Sequence, residues 1–422
     1  MRMFWLMPAL LGCANKASPC ISSEAEAWPD DVFVLDGPDG EPFQVQIHPS
    51  TASDTEASAP MVVFVHGGWG SEPLPITEQQ PQLRSDLGYH VLYLELPADD
   101  LRGSTSRATL ATALRYASGL LDETSTTDCA NPSEDGNQRP VLLAGFSHGG
   151  NLAWSTLADP TLELPQIAGI ATFETPPSSQ FVAVDVGTLN RPNDRFNEDE
   201  CSSVESEIIC DFDYTPVIAV TCATDASCLV IDANHDGRQS DGDFVLGTLN
   251  DPVSGMRVAS LQAVAAAEAA GVLPDTFMDS TAVADFWSER LGPEILQRAA
   301  ERYPTLGTIV TGTERDHMLT ALRRPVHLTS MAAAFTQAGV GWVRLHPDSA
   351  YMQFLHGDVL DWKDYPANEG TDLSDQTLGA EPEETGTIHP TNYLDAAILE
   401  LIDRSRTDDW SNDLDKPIQL NP

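Results

Sequence analysis

Residues 140–149 read Pro140-Val141-Leu142-Leu143-Ala144-Gly145-Phe146-Ser147-His148-Gly149. A short apolar run closed by Gly is the pattern of a strand buried on both faces. The next five residues, Gly145 to Gly149, form a G-x-S-x-G element, which has chemical meaning only between a strand and a helix. Both neighbours are predicted here, since Leu152 to Leu157 suits a helix. The flanking glycines let the chain make a cramped turn. The Ser147 hydroxyl is then exposed, and the amides after it, at a helix N-terminus, point to where negative charge would develop. Ser147 is therefore the candidate nucleophile.

Working outward, Met61 to Val65 and His90 to Leu96 read as buried strands, and Leu110, Leu114, Ala117 and Leu121 follow helical spacing between Arg107 and Leu121. Ile167 to Phe173, Thr308 to Val310 and Gly341 to Leu345 continue the strands, and an amphipathic helix is predicted from Asn392 to about Ile402. Strands alternating with helices imply a parallel sheet with crossovers. Asp31 to Leu35 and Phe43 to Ile47 alternate apolar and polar residues around Gly37-Pro38-Asp39-Gly40, the mark of a hairpin at a sheet edge. From 178 to 304 the rhythm breaks into acidic loops, cysteine pairs and helices, including the Ala-rich stretch Val258 to Ala270. That span reads as a cap inserted between a first core part, 14–177, and a second, 305–422. The acidic stretch around 364–387 reads as a surface loop.

His66-Gly67-Gly68-Trp69-Gly70 follows the strand Val62 to Val65. Its small residues let backbone approach a carbonyl oxygen, so an amide of Gly68 or Trp69 would pair with that of His148 to hold an oxyanion. With this segment and the serine element in this order, the sequence resembles the α/β-hydrolase family over about 40–180 and 305–405. The resemblance implies a mostly parallel sheet with helices on both faces, and carboxylic ester hydrolysis through an acyl-enzyme without a catalytic metal. It implies the chain order serine, acid, histidine. The acid is then Asp316 in Thr311-Gly312-Thr313-Glu314-Arg315-Asp316-His317, with Glu174 as the alternative. The base is His389, just before the final helix, or His356, with His346 also possible. Tyr351, Leu355, Val359 and Trp362 fall at helical spacing, which would put His356 on a helix. Behind the last strand stands Asp348-Ser349-Ala350-Tyr351 in place of the family's usual Gly-His. His66 and His148 are expected to shape the oxyanion loop rather than relay protons.

Within the cap, residues 232–243 place Asp232, Asn234, Asp236, Ser240 and Asp243 at loop positions 1, 3, 5, 9 and 12, with Gly237 at 6 and the Arg238 carbonyl at 7. This is EF-hand ligand spacing, and with Asp in last place it resembles the calcium loops of dockerins. A structural calcium that orders the cap is expected; a full dockerin, which pairs two such loops, is not, because no second loop is visible.

The 64 acidic against 22 basic residues give a net charge of -42, which repels nucleic acid and anionic lipid. Lysine occurs only as Lys16, Lys363 and Lys416, a surface chemistry that stays hydrated in salt. The N-terminus, Met1-Arg2, an apolar run from Met3 to Leu11, then Gly12-Cys13, reads as a short export signal (1–13), and Leu10-Leu11-Gly12-Cys13 resembles the bacterial lipobox. Acylation at Cys13 would anchor an exported protein to the cell envelope, the one membrane contact expected. Cys20, Cys129, Cys201, Cys210, Cys222 and Cys228 remain for disulfides; the close pairs Cys201/Cys210 and Cys222/Cys228 would clip local loops, leaving Cys20 and Cys129. The partner expected is a small or polymeric ester. The other readings are a calcium-stabilised surface binding protein on an inactive hydrolase fold, or a serine peptidase.

Overall fold

The computed structural model describes residues 32–38, 40–50, 59–68, 87–97, 100, 102–119, 140–173, 175, 187–188, 191–192, 201–204, 207–210, 214–221, 227–248, 261–273, 278–290, 292–312, 342–347, 352–354, 380–382, 388–390 and 393–410. The first strands are β1 (Val32–Asp36), β2 (Pro42–His48), β3 (Met61–Val65), β4 (His90–Leu94), β5 (Val141–Phe146) and β6 (Ile167–Phe173), with helices α1 (Ser104–Ser118) and α2 (His148–Ala158). The cap span holds β7 (Gly187–Thr188), β8 (Arg191–Pro192), β9 (Cys201–Val204), β10 (Glu207–Cys210), β11 (Val217–Thr221), β12 (Ser227–Ile231) and β13 (Phe244–Thr248). Helices α3 (Leu261–Ala269), α4 (Ser280–Ser288) and α5 (Pro293–Arg302) follow. The chain continues with β14 (Gly307–Gly312), β15 (Trp342–Pro347), β16 (Met352–Phe354), β17 (Ala380–Pro382), β18 (Ile388–Pro390) and α6 (Tyr393–Thr407).

Among the described residues, nine strands make one sheet in the order β1-β2-β4-β3-β5-β6-β14-β15-β16. β1 and β2 form the antiparallel hairpin expected around Gly37 and Gly40, and β2 runs antiparallel to β4. From β4 to β15 every pairing is parallel, and β16 closes the far edge antiparallel to β15. This is the α/β-hydrolase fold, with β5, the strand before Ser147, at the sheet centre.

Both faces are covered, which is why β3 and β4 are buried at every position and apolar at all but His90. Alternate residues serve opposite layers. Met61, Val63, Val65, Leu92 and Leu143 pack with Leu110 and Leu114 of α1, Leu152 of α2 and Ile295 of α5. Val62, Phe64, Val91, Leu142 and Ile309 pack with Leu394, Ile398 and Leu401 of α6. Each of these fully buried side chains contributes roughly 1.5–3 kcal/mol through removal of apolar surface from water.

The cap has its own core. Val217 of β11 and Leu229 and Ile231 of β12 pack with Ala263, Val264 and Ala267 of α3 and with Val283, Phe286 and Trp287 of α4. Helix α5, although inside the 178–304 span, joins the main core through Ile295, Leu296, Ala299 and Ala300. Residues 352–354 form an edge strand, where the spacing of Tyr351 to Trp362 predicts a helix; Met-Gln-Phe also satisfies the two-residue period, and pairing with β15 decides between them.

Candidate active site

Ser147 sits between the end of β5 and the start of α2 with φ 49° and ψ -122°. A left-handed φ at a residue with a Cβ is strained and persists only where surroundings enforce it. Here they do: the Ser147 amide donates to the Phe173 carbonyl at 2.8 Å and the Ser147 carbonyl accepts from the Gly150 amide at 3.0 Å. Ser147 is half-buried rather than fully enclosed.

The glycines around it are required by close approach. A Cβ on Gly145 would lie 2.5 Å from the Cα of Gly150. One on Gly149 would collide with the carbonyl oxygens of Val65 and His66, and one on Gly150 with the Thr175 hydroxyl. A Cβ on Gly67 would come within 2.5 Å of the Phe146 ring. The His66–Gly68 turn therefore lies directly against the serine turn. Gly68 has φ 71° and open space around its Cα.

Neither nearby histidine is built as a base. His148 is half-buried, and desolvation by its surroundings, then the charges of Arg102 and Arg290, lower its pKa to about 3. His66 is lowered to about 4 by burial and then by Arg102, against a hydrogen bond to the Gly67 carbonyl that raises it. Both rings stay neutral at neutral pH and occupy space around the serine turn.

Two contacts at this site have no signal in the sequence pattern. Arg102, buried and with φ 63°, stands in the turn before α1 and directs its guanidinium at the His66–Gly68 turn. Trp287 of the cap helix α4 lies tilted against the His148 ring, 6.4 Å between centroids and 34° between planes, so the cap core reaches the serine turn. Nearby, Arg290 donates to the Phe286 carbonyl at 2.8 Å and lies over the Phe286 ring at 3.9 Å.

Of the other expected residues, Trp69, Asp316, Glu174, His356 and Cys13 lie outside the described residues. Asp316 follows the end of β14 at Gly312 by four positions. His389 is on β18, opposite Glu381, in the segment that leads into α6. His346 is on β15, opposite Thr311 of β14.

In the cap, the 232–243 loop follows β12 directly. Carboxylate oxygens of Asp232, Asp236 and Asp243 lie within 4.8 Å of one another. Asp232 accepts from the amides of Asp236 (3.1 Å) and Gly237 (2.8 Å), with Gly237 at φ 77° making the turn. Asp243 accepts from the amides of Ala233 (2.8 Å) and Ser240 (2.7 Å). Asn234 accepts from the Asp236 amide, and its own side-chain amide donates to the Ser240 hydroxyl at 2.7 Å. Asp236 pairs with Arg238 at 3.2 Å. Desolvation disfavours the charged forms of Asp236 and Asp243, yet backbone donors outweigh it and hold both carboxyls below their ordinary range. A cluster of ionised carboxylates with amide and hydroxyl oxygens is the donor set of a hard cation. Nearby, Cys228 is disulfide-bonded, and β9 and β10 set Cys201 opposite Cys210. Among the described residues, no helix is long and apolar enough to cross a membrane.

No family model matches the sequence, and no curated protein matches it. Among solved structures the chain is similar to an esterase domain from a Rhodothermus marinus protein (14% identity over 76% of this chain and 88% of that one, TM-score 0.35). It is also similar to a lipase/esterase from Lactobacillus plantarum (12%, 76% and 91%, TM-score 0.38) and to a bacterial heroin esterase (14%, 80% and 77%, TM-score 0.37). Likeness this remote carries no argument about chemistry, which rests on the residues around Ser147.

Proposed function

We propose that this protein hydrolyses carboxylic esters through an acyl-enzyme on Ser147. The observation that carries this reading is the backbone of Ser147: a strained, half-buried serine on a strand-to-helix turn whose glycines are demanded by backbone on both sides. In the reaction, an imidazole takes the Ser147 proton as Oγ attacks the ester carbonyl. The tetrahedral oxyanion is held by the amide of His148 with that of Gly68 or Trp69. The alcohol leaves with the proton, and water then releases the acid by the reverse sequence. His389 or His356 supplies the imidazole and Asp316 orients it. The lowered pKa values of His66 and His148 make them weak proton acceptors, which supports placing the base at one of those later positions.

In the same reading the loop 232–243 holds a structural calcium through Asp232, Asn234, Asp236, the Arg238 carbonyl, Ser240 and Asp243. The ion would gather carboxylates that otherwise repel one another, and supplies no step of the hydrolysis. Export with a lipid anchor at Cys13 fits the net charge of -42 and a disulfide at Cys228.

The test is turnover of a short-chain p-nitrophenyl ester by wild type and by Ser147→Ala. Wild type is expected to turn over, and the variant to lose roughly 10⁴-fold or more in kcat while keeping its melting temperature. Inactive wild type, or activity that survives the substitution, overturns the proposal and favours a binding role on the same fold.

A further inference from the structure

Arg102 stands outside every motif described so far. It is fully buried, its backbone is left-handed at φ 63°, and it is fixed in a tight turn in which the Asp100 carbonyl accepts from the Gly103 amide at 2.9 Å. Asp100 also accepts from the Ser106 amide at 2.6 Å, tying that turn to the first turn of α1. Burying a guanidinium is expensive and so is the left-handed backbone, so the placement has to be enforced by what the side chain does.

The guanidinium grips the His66–Gly68 turn. Nε donates to the Gly68 carbonyl at 3.2 Å, and Nη2 donates to the Gly67 carbonyl at 3.2 Å and reaches the His66 carbonyl at 3.5 Å. Nη2 also lies 3.1 Å from Nδ1 of the neutral His66 ring. Three successive carbonyls of the oxyanion turn thus converge on one cation. A trans peptide carries its N–H opposite its C=O. With the Gly67 carbonyl turned to Arg102, the amide of Gly68, which belongs to the same peptide, points away from it. A positive charge behind a carbonyl also polarises that peptide, making its amide a stronger donor.

We infer that Arg102 is the positioning residue of the oxyanion hole, holding the His66–Gly68 turn from behind so that the Gly68 amide is presented to the oxyanion formed at Ser147. This rests on the ester-hydrolase reading. Arg102 does not touch the reacting atoms; it acts through the peptides it grips. Lysine can replace it only in part, because an ammonium lacks the planar fork that reaches several carbonyls at once.

The experiment compares wild type, Arg102→Lys and Arg102→Gln in the full chain, with p-nitrophenyl acetate as substrate and phenylboronic acid as the tetrahedral-anion mimic. Folding is followed by circular dichroism. A lost or misaligned oxyanion donor is expected to lower kcat by roughly 100-fold in Arg102→Gln, with Arg102→Lys intermediate and KM within about threefold of wild type. Affinity for the boronate should fall in parallel with kcat, whereas a general loosening would move KM and melting temperature first. If Arg102→Gln does not fold, Arg102→Lys decides: a kcat loss of about tenfold or more with KM retained supports the inference. A folded variant of either kind with wild-type kcat and boronate affinity overturns it, while leaving the esterase intact. Wild type that neither turns over nor binds boronate overturns the esterase reading itself, and this inference with it.

Discussion

The serine turn and the acidic loop of the cap are both short motifs with glycine at a fixed place, yet they are held in opposite ways. The turn at Ser147 is shaped by residues far away in sequence: Phe173 takes its amide, and the carbonyls of Val65 and His66 leave room only for glycine at 149. The loop 232–243 is shaped from inside, its carboxylates accepting from amides within ten residues of themselves. The first motif can exist only in an assembled sheet. The second needs only its own twelve residues and, in the function proposed, an ion. The lesson is that a motif fixed by long-range packing tolerates no added atom, whereas one fixed by local hydrogen bonds is sensitive mainly to backbone conformation and charge.

Matched glycine substitutions give the sharpest contrast. Gly149→Ala puts a methyl into two backbone carbonyls that cannot move apart without opening the sheet. It is expected to destabilise by about 3 kcal/mol or more and to abolish esterase activity, as judged by denaturant melts and turnover. Gly237→Ala meets no atom, and only its φ of 77° resists. That change is expected to lower stability by about 1 kcal/mol and leave kcat unaltered. Equal effects at the two positions would remove the distinction.

Calcium removal probes the second region alone. With the loop saturated at about a hundredfold over its Kd, chelation is expected to remove on the order of 2–3 kcal/mol from cap stability, seen as a fall in melting temperature that added calcium reverses. Asp232→Asn with Asp243→Asn should abolish that response. A melt indifferent to chelator in wild type, with no calcium bound, would mean that the loop's own hydrogen bonds are its whole purpose.

A smaller effect should appear in the pH dependence. His66 and His148 have folded pKa values of about 4 and about 3, below the roughly 6.5 of an unfolded histidine. The unfolded chain therefore takes up protons that the folded chain refuses. The stabilisation is present above about pH 6.5 and is lost as pH falls toward the folded values. Melting temperature should decline from about pH 7 to about pH 5, and His148→Asn should flatten that slope. An unchanged slope in His148→Asn would contradict neutral burial of this ring.

Much of this was legible in sequence, for reasons that differ by element. Val62 to Val65, Val141 to Ala144 and Ile167 to Phe173 announce buried strands because both their faces are apolar, and the order of motifs fixes the sheet. The gathering of Asp232, Asp236 and Asp243 is legible because it follows from spacing within one loop. Arg102 was not, because one arginine in an Arg-Gly-Ser stretch shows nothing until β3 brings residues 66–68 beside it. Trp287 was not, because an aromatic on an amphipathic helix reads as cap core and its contact with His148 depends on how the cap meets the sheet. The helical spacing from Tyr351 to Trp362 misled at 352–354, where the neighbouring strand edge prevails over local period.

The central claim is that the hydroxyl at 147 is an activated nucleophile. The most direct measurement is mass spectrometry of the intact protein after exposure to a fluorophosphonate, followed by peptide mapping. A single adduct on Ser147, absent from Ser147→Ala, is the predicted result; folded wild type that stays unmodified, or carries its adduct on another residue, would contradict it.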